Sequence, residues 1–137
     1  MKKLILSLSF LLFIGGLWAQ SATNEKAIQQ EVETLTSLYT LDEKQSEEML
    51  VIQQRRFRNL AQIETLKNKD EAMYLQKKKS IRMGTEASIK KMLKPEQMAT
   101  FNQQVTERRK RESALIKEMR QNGASKAEIQ TALLGIE

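Results

Sequence analysis

Apolar residues recur along most of the chain at steps of three and four, the spacing that lines one face of a helix. Over residues 25–38, Ile28, Val32, Leu35 and Leu38 or Tyr39 form such a face. A second run opens at Leu41-Asp42-Glu43-Lys44-Gln45. Asp42 suits the N-cap because its carboxylate accepts orphan N–H groups, and Gln45, three residues on, can return a bond to the cap backbone. The helix that follows, over about 43–67, carries Met49, Ile52, Phe57, Leu60, Ile63 and Leu66. Asn68-Lys69-Asp70 breaks the pattern and caps a further helix over 71–92. That segment is poorly amphipathic. Tyr74, Ile81, Ile89 and Met92 share a rough face, Lys77-Lys78-Lys79 interrupts it, and Gly84 costs about 1 kcal/mol relative to Ala. Leu93-Lys94-Pro95-Glu96-Gln97 restarts the chain, with Pro95 fitted to a first helical position and Glu96 favourable beside the N-terminal dipole.

From there Met98, Phe101, Val105, Arg108, Glu112, Leu115 and Met119 alternate steps of three and four. The ends of this stripe are apolar and its middle is charged, too polar a seam for a long coiled coil. Gly123 reads as a C-cap, and Ser125-Lys126-Ala127-Glu128 as a capping box before a short helix with Ile129, Leu133 and Leu134. The pattern predicts an all-α fold of four to five helices in elongated antiparallel hairpins.

The N-terminus follows another logic. Lys2-Lys3, an apolar run from Leu4 to Trp18, and the small-residue site Ala19-Gln20 read as a secretory signal peptide over residues 1–19. With about 15 apolar residues it falls short of the ~20 that a spanning helix needs. The remaining residues, 20–137, make one domain, and no stable membrane insertion is expected after cleavage. That domain holds 32 apolar side chains larger than Ala. So few cannot build a thick core in a single copy, and a homodimer is expected.

Composition removes most chemistry. The chain has no Cys, hence no disulfide, thiol nucleophile or lipid-anchor cysteine, and no His, the usual base near neutral pH. Glycine-rich phosphate loops are absent. The acidic pairs Glu47/Glu48 and Asp70/Glu71 point apart on a helix and make no acid–base dyad. No enzyme activity, cofactor or metal site is expected.

Charge does change the picture. The net charge is +6, but it is segregated: residues 20–54 carry −5, whereas residues 76–111 carry +8. A smaller basic cluster, Arg55-Arg56-Arg58, lies on the second long helix.

Two segments match as Leu-x-x-x-Gln, Leu41 to Gln45 and Leu93 to Gln97, 52 residues apart. Each opens a helix after a preceding helix. Here the sequence resembles the periplasmic LTxxQ family, the Spy/CpxP-like proteins, whose second motif is often Leu-Thr-Pro-Glu-Gln. Leu93, Pro95, Glu96 and Gln97 match that form, while Asp42 and Lys94 stand where the family has Thr. Asp42 keeps the capping role; Lys94 has no acceptor and cannot. The resemblance implies a periplasmic location and a cradle-shaped antiparallel homodimer. It also implies a basic, partly apolar concave face that holds unfolding proteins without ATP. Other relatives bind an envelope sensor kinase or serve metal tolerance with His- or Cys-bearing segments, which this chain lacks.

The residues that suit client binding are therefore Arg55, Arg56, Arg58, Lys77, Lys78, Lys79, Arg82, Lys90 and Lys91 for attraction, with Phe57, Met73 and Met83 for apolar contact. Each has a plainer reading. Lysine-rich helix faces are usually solvated surface, the two motifs can simply start helices, and Met49, Met92, Met98 and Met119 suit a thin core. The methionines are too dispersed for a thioether copper site. Nucleic acid suits a basic patch, but export argues against it, and only Tyr74 among the aromatics lies near the basic runs. The alternative function is a regulatory adaptor or metal-stress sensor that binds one sensor protein.

Overall fold

The computed structural model describes residues 15–134 and residue 136, with side chains from Asn24 onward. Residues 1–14, most of the segment read as a signal peptide, lie outside the described residues, as do 135 and 137. Five helices follow in order: α1 (Gly15–Tyr39), α2 (Glu43–Ile63), α3 (Glu71–Met92), α4 (Met98–Gln121) and α5 (Lys126–Leu133). Short 3-10 turns, Glu64–Leu66 and Pro95–Gln97, close α2 and lead into α4. The fold is all-α. No described helix is long and apolar enough to cross a membrane.

The ends of the helices follow their capping residues. At α2 the Gln45 N–H donates to Asp42 Oδ1 at 2.8 Å, and the Asp42 N–H donates to Gln45 Oε1 at 3.2 Å. Asp70 accepts from the Met73 N–H at 2.9 Å to open α3, and Ser125 and Glu128 exchange bonds to open α5. At the end of α4, Gly123 sits at φ +76° while the Ala124 N–H bonds the Met119 carbonyl at 2.9 Å. α1 ends in the same paired-bond turn, but with Thr40 at φ 51° in the glycine position. A β-branched residue there costs about 1–2 kcal/mol.

α2 is the central element and packs along both α1 and α3. The core joins Val32 and Tyr39 of α1, Met49 and Ile52 of α2, Ile89 and Leu93 from the end of α3, and Phe101 of α4. Met92 and Met98 pack against it, and Met119 is half-buried. The Tyr39 and Phe101 rings lie 6.5 Å apart and bring α4 to α1. Phe57 departs from the expected stripe. At 100° per residue it stands about 80° from Met49, at the edge of the buried face, whereas Gln53 stands about 40° away. Gln53 takes the inward place and is only 1% exposed.

Two further glutamines are buried at the centre. Gln45 and Gln97, 6% and 8% exposed, face each other and exchange both amide bonds, at 2.8 and 3.0 Å. Each also closes its own helix start: Gln45 Oε1 accepts from Asp42 N, and Gln97 Oε1 accepts from Lys94 N at 2.8 Å. Each then donates across to the end of the opposite helix, Gln45 to the Met92 carbonyl at 3.1 Å and Gln97 to the Thr40 carbonyl at 3.2 Å. Every bond has a counterpart 52 residues away, so a local two-fold relation links the two motifs. Both amides use all their donors and acceptors.

Two outcomes follow from this packing. Gln97→Leu, which strands the Lys94 N–H, the Thr40 carbonyl and half of the Gln45 amide, lowers stability by about 2–3 kcal/mol. Gln45→Leu does the same, and the double variant loses less than the sum, with a coupling of about 1 kcal/mol or more. Urea unfolding of the four proteins measures it, and strict additivity contradicts the shared network. Thr40→Gly relieves the left-handed turn and raises stability by about 1 kcal/mol in the same assay.

Candidate functional site

The side chains offered for client binding fall into two groups once the helices are placed. Met73, Lys77, Lys79, Met83, Lys90 and Lys91 are all exposed, and the 3.6-residue repeat gathers them on the outward half of α3. Met73 is 44% and Met83 59% exposed, high for methionine in a folded domain. Residues 72–85 contain no carboxylate, so over that stretch the face carries positive charge alone. Arg55 and Arg58 are exposed on α2, and the Arg55 guanidinium donates to Ser88 Oγ of α3 at 2.6 Å. The basic cluster of α2 thus borders α3. Val51, exposed on α2 and not singled out from the sequence, adds apolar surface there.

The rest of the expected set turns inward. Phe57 is half-buried, and the Arg56 guanidinium carbon lies 5.6 Å from its ring centroid. The phenyl ring was expected to be open; its position at the edge of the α2 stripe leaves it partly covered. Lys78 is half-buried and donates to the Leu134 carbonyl at 3.0 Å. Arg82 is also half-buried, paired with Glu112 at 3.1 Å. Glu112 shares its oxygen with Arg108 at 3.3 Å, and Arg108 reaches Glu86 at 2.9 Å. The charged middle of the α4 stripe therefore works as a bridge to α3. Glu86 is already subtracted in the +8 over residues 76–111, and Glu112, just beyond that window, brings the net over residues 76–112 to +7.

Between these helices lies a cavity of about 230 Å³. Leu35 of α1, Leu60 of α2 and Ile81 of α3 form apolar walls, Lys78 and Arg82 stand at its rim, and Leu134 and Ile136 cover it. Gln53 forms part of the lining; its Nε2 contacts Met49 Sδ at 3.6 Å. Gln53 Oε1 is buried without a hydrogen-bond partner among the described residues. Burial raises the Tyr39 phenol above its ordinary pKa, with the Glu86 carboxylate adding to the effect. Among the described residues no group of three or more His, Cys, Asp or Glu is placed to hold a metal ion.

The two motifs sit at the other end of the bundle from this cavity's cover. Leu41 and Leu93 pack into or against the core, and Pro95 and Glu96 lie exposed on the 3-10 turn. Lys94 makes no side-chain cap, as its chemistry requires. Its ammonium instead donates to Asp42 Oδ2 at 2.8 Å, joining the second positions of the two motifs. That partnership was not legible in either motif alone. Comparison with known proteins adds no relative: no family model, curated protein or solved structure matches the chain.

The bond from Lys94 and then the Gln45 N–H hold the Asp42 carboxyl below its ordinary pKa, and Lys94 is raised in turn. A carboxyl depressed by folding contributes stability above its unfolded pKa of about 3.9 and loses it as pH falls through the folded value. Glu128, held low by Ser125, adds to the same acid limb. Asp42→Asn keeps a capping acceptor but removes the ion pair. Melting temperature measured from pH 7 down to pH 2 should therefore fall less steeply in Asp42→Asn than in the parent.

Proposed function

We propose that the chain is an ATP-independent, chaperone-like protein of the periplasm that binds partly unfolded or aggregation-prone envelope proteins. The observation that carries this reading is the outward face of α3, where exposed Met73 and Met83 stand among Lys77, Lys79, Lys90 and Lys91. Lysines draw an acidic, unfolding chain from a distance, which acts mainly on association rate. Methionine then offers flexible, polarisable contact to whatever apolar side chain arrives, without demanding one shape. A segment held this way is shielded but not locked, so no nucleotide is needed to release it. The small core and the resemblance to the Spy/CpxP-like proteins favour action as a homodimer that doubles this face. The basic face does not require a catalytic group, and the lack of His and Cys agrees with a binding role.

Suppression of aggregation tests the reading. A chaperone protects several unrelated proteins at near-stoichiometric ratios, whereas a regulatory adaptor for one sensor domain protects few or none. Replacing Lys77, Lys79 and Lys90 with Gln keeps side-chain length and helix propensity. Stopped-flow association with a slowly folding acidic protein should then slow by about threefold or more at low salt. The difference should shrink at 1 M salt, where the Debye length is about 3 Å. Met83→Ser should leave the association rate near the parent's and shorten the lifetime of the complex. Equal rates for the parent and the Gln variant at both salts leave the lysines as solvated surface and defeat the proposal.

A further inference from the structure

The chain's own C-terminal segment is seated on the cavity between α1, α2, α3 and the ion pairs to α4. Lys78 donates to the Leu134 carbonyl at 3.0 Å, and Arg82 makes a longer 3.5 Å contact to the Ile136 carbonyl. Leu134 and Ile136, two residues apart, both line the cavity. The two cations therefore take main-chain carbonyls, which every polypeptide has, and the walls take apolar side chains. The cover is light. α5 leads into it from Gly123, at φ +76°, and a larger space of about 510 Å³ opens between α5 and α3 beside Leu75 and Lys79. At the wall of the covered cavity, buried Gln53 Oε1 has no hydrogen-bond partner among the described residues. Cationic donors to carbonyls, apolar walls and a buried acceptor together match one kind of ligand, a peptide backbone with apolar side chains.

We propose that this cavity is a second binding site, distinct from the outward face of α3. It docks an apolar polypeptide segment, and the C-terminal segment is its displaceable resident. The proposal deepens the chaperone reading, since it rests on unfolded chains being the ligands, and it predicts where a client's apolar residues finally lodge. Client carbonyls replace those of Leu134 and Ile136 on Lys78 and Arg82, and Gln53 Oε1, closed off from the cavity in this structure, turns into it to meet a client N–H. A tethered cover competes at an effective concentration in the millimolar range. Loosening it raises affinity for a peptide supplied in trans.

The probe is a synthetic peptide of residues 126–137, titrated calorimetrically into the full chain. Leu134→Ser/Ile136→Ser should bind it at least about tenfold more tightly than the parent. Adding Gln53→Leu or Lys78→Gln to that variant should each weaken binding at least about threefold. Circular dichroism establishes folding. Ile136→Ser alone, outside every helix, serves if the double variant does not fold, with the same direction expected. Equal affinity in parent and loosened variant, no binding by the loosened variant, or no loss on changing Gln53 and Lys78 overturns the site. Aggregation assays on the same proteins separate the two readings. Protection without tighter peptide binding defeats the cavity site alone, and tighter peptide binding without protection by any variant defeats the chaperone reading alone.

Discussion

The reciprocal pair of Gln45 and Gln97 is the constraint on which the rest of the bundle depends. A primary amide has two donors and two acceptor lone pairs, and burying it is costly unless they are met. Here each amide meets its partner amide, the backbone N–H of its own helix start and the carbonyl at the end of a helix from the other half. One pair of side chains thereby sets where α2 begins, where α1 and α3 end, and how the two halves lie together. The core packs outward from this point. Met49 stands one turn beyond Gln45, Phe101 one turn beyond Gln97, and Tyr39 and Leu93 flank the two helix ends. A hydrophobic cluster of this size specifies a position loosely; a fully satisfied polar network specifies it closely.

At the other end of the bundle, polarity has a different use. Glu86, Arg108, Glu112 and Arg82 join α3 to α4 through long side chains. Arg108 is only 13% exposed at its side chain, so its charge is spent within the fold. Long linkers hold helices apart where leucines would draw them together. The cavity beside them is the result. The molecule is thus tightly specified at the motif end and loosely filled toward the C-terminal tail, while its unspent lysines lie on the outer side of α3.

Much of this was legible in the sequence because it is local. Asp42, Asp70, Ser125 and Gly123 act within a turn of their own position, and the boundaries of α2, α3 and α5 follow from them. The repeat of Leu41–Gln45 at Leu93–Gln97 is visible as well, and Gln45 reads as closing its own cap, a role that Gln97 shares in the structure. What could not be read was that the two caps meet. Contacts 52 residues apart leave no periodic trace, and Lys94 looked like a flaw in the second motif until its ammonium was placed on Asp42. The same blindness explains Gln53 and Phe57. A stripe drawn through apolar residues passes over a buried glutamine and promotes a phenyl ring at the stripe's edge. Arg82 and Lys78 counted as surface charge for a related reason, since their partners, Glu112 and the Leu134 carbonyl, lie 30 and 56 residues away.

The glutamine pair has a further consequence for the order in which the chain can fold as it is made. A polypeptide emerging N-terminus first presents Thr40, Asp42 and Gln45 long before Lys94 and Gln97 exist. Until then the left-handed turn at Thr40 lacks the amide that holds its carbonyl, and Gln45 lacks both the Met92 carbonyl and its partner amide. Closing a loop of this length costs entropy that the completed network and the core packed around it offset together. The first hairpin alone is therefore an unfinished unit, and the centre of the bundle settles when the fifth residue of the second motif arrives.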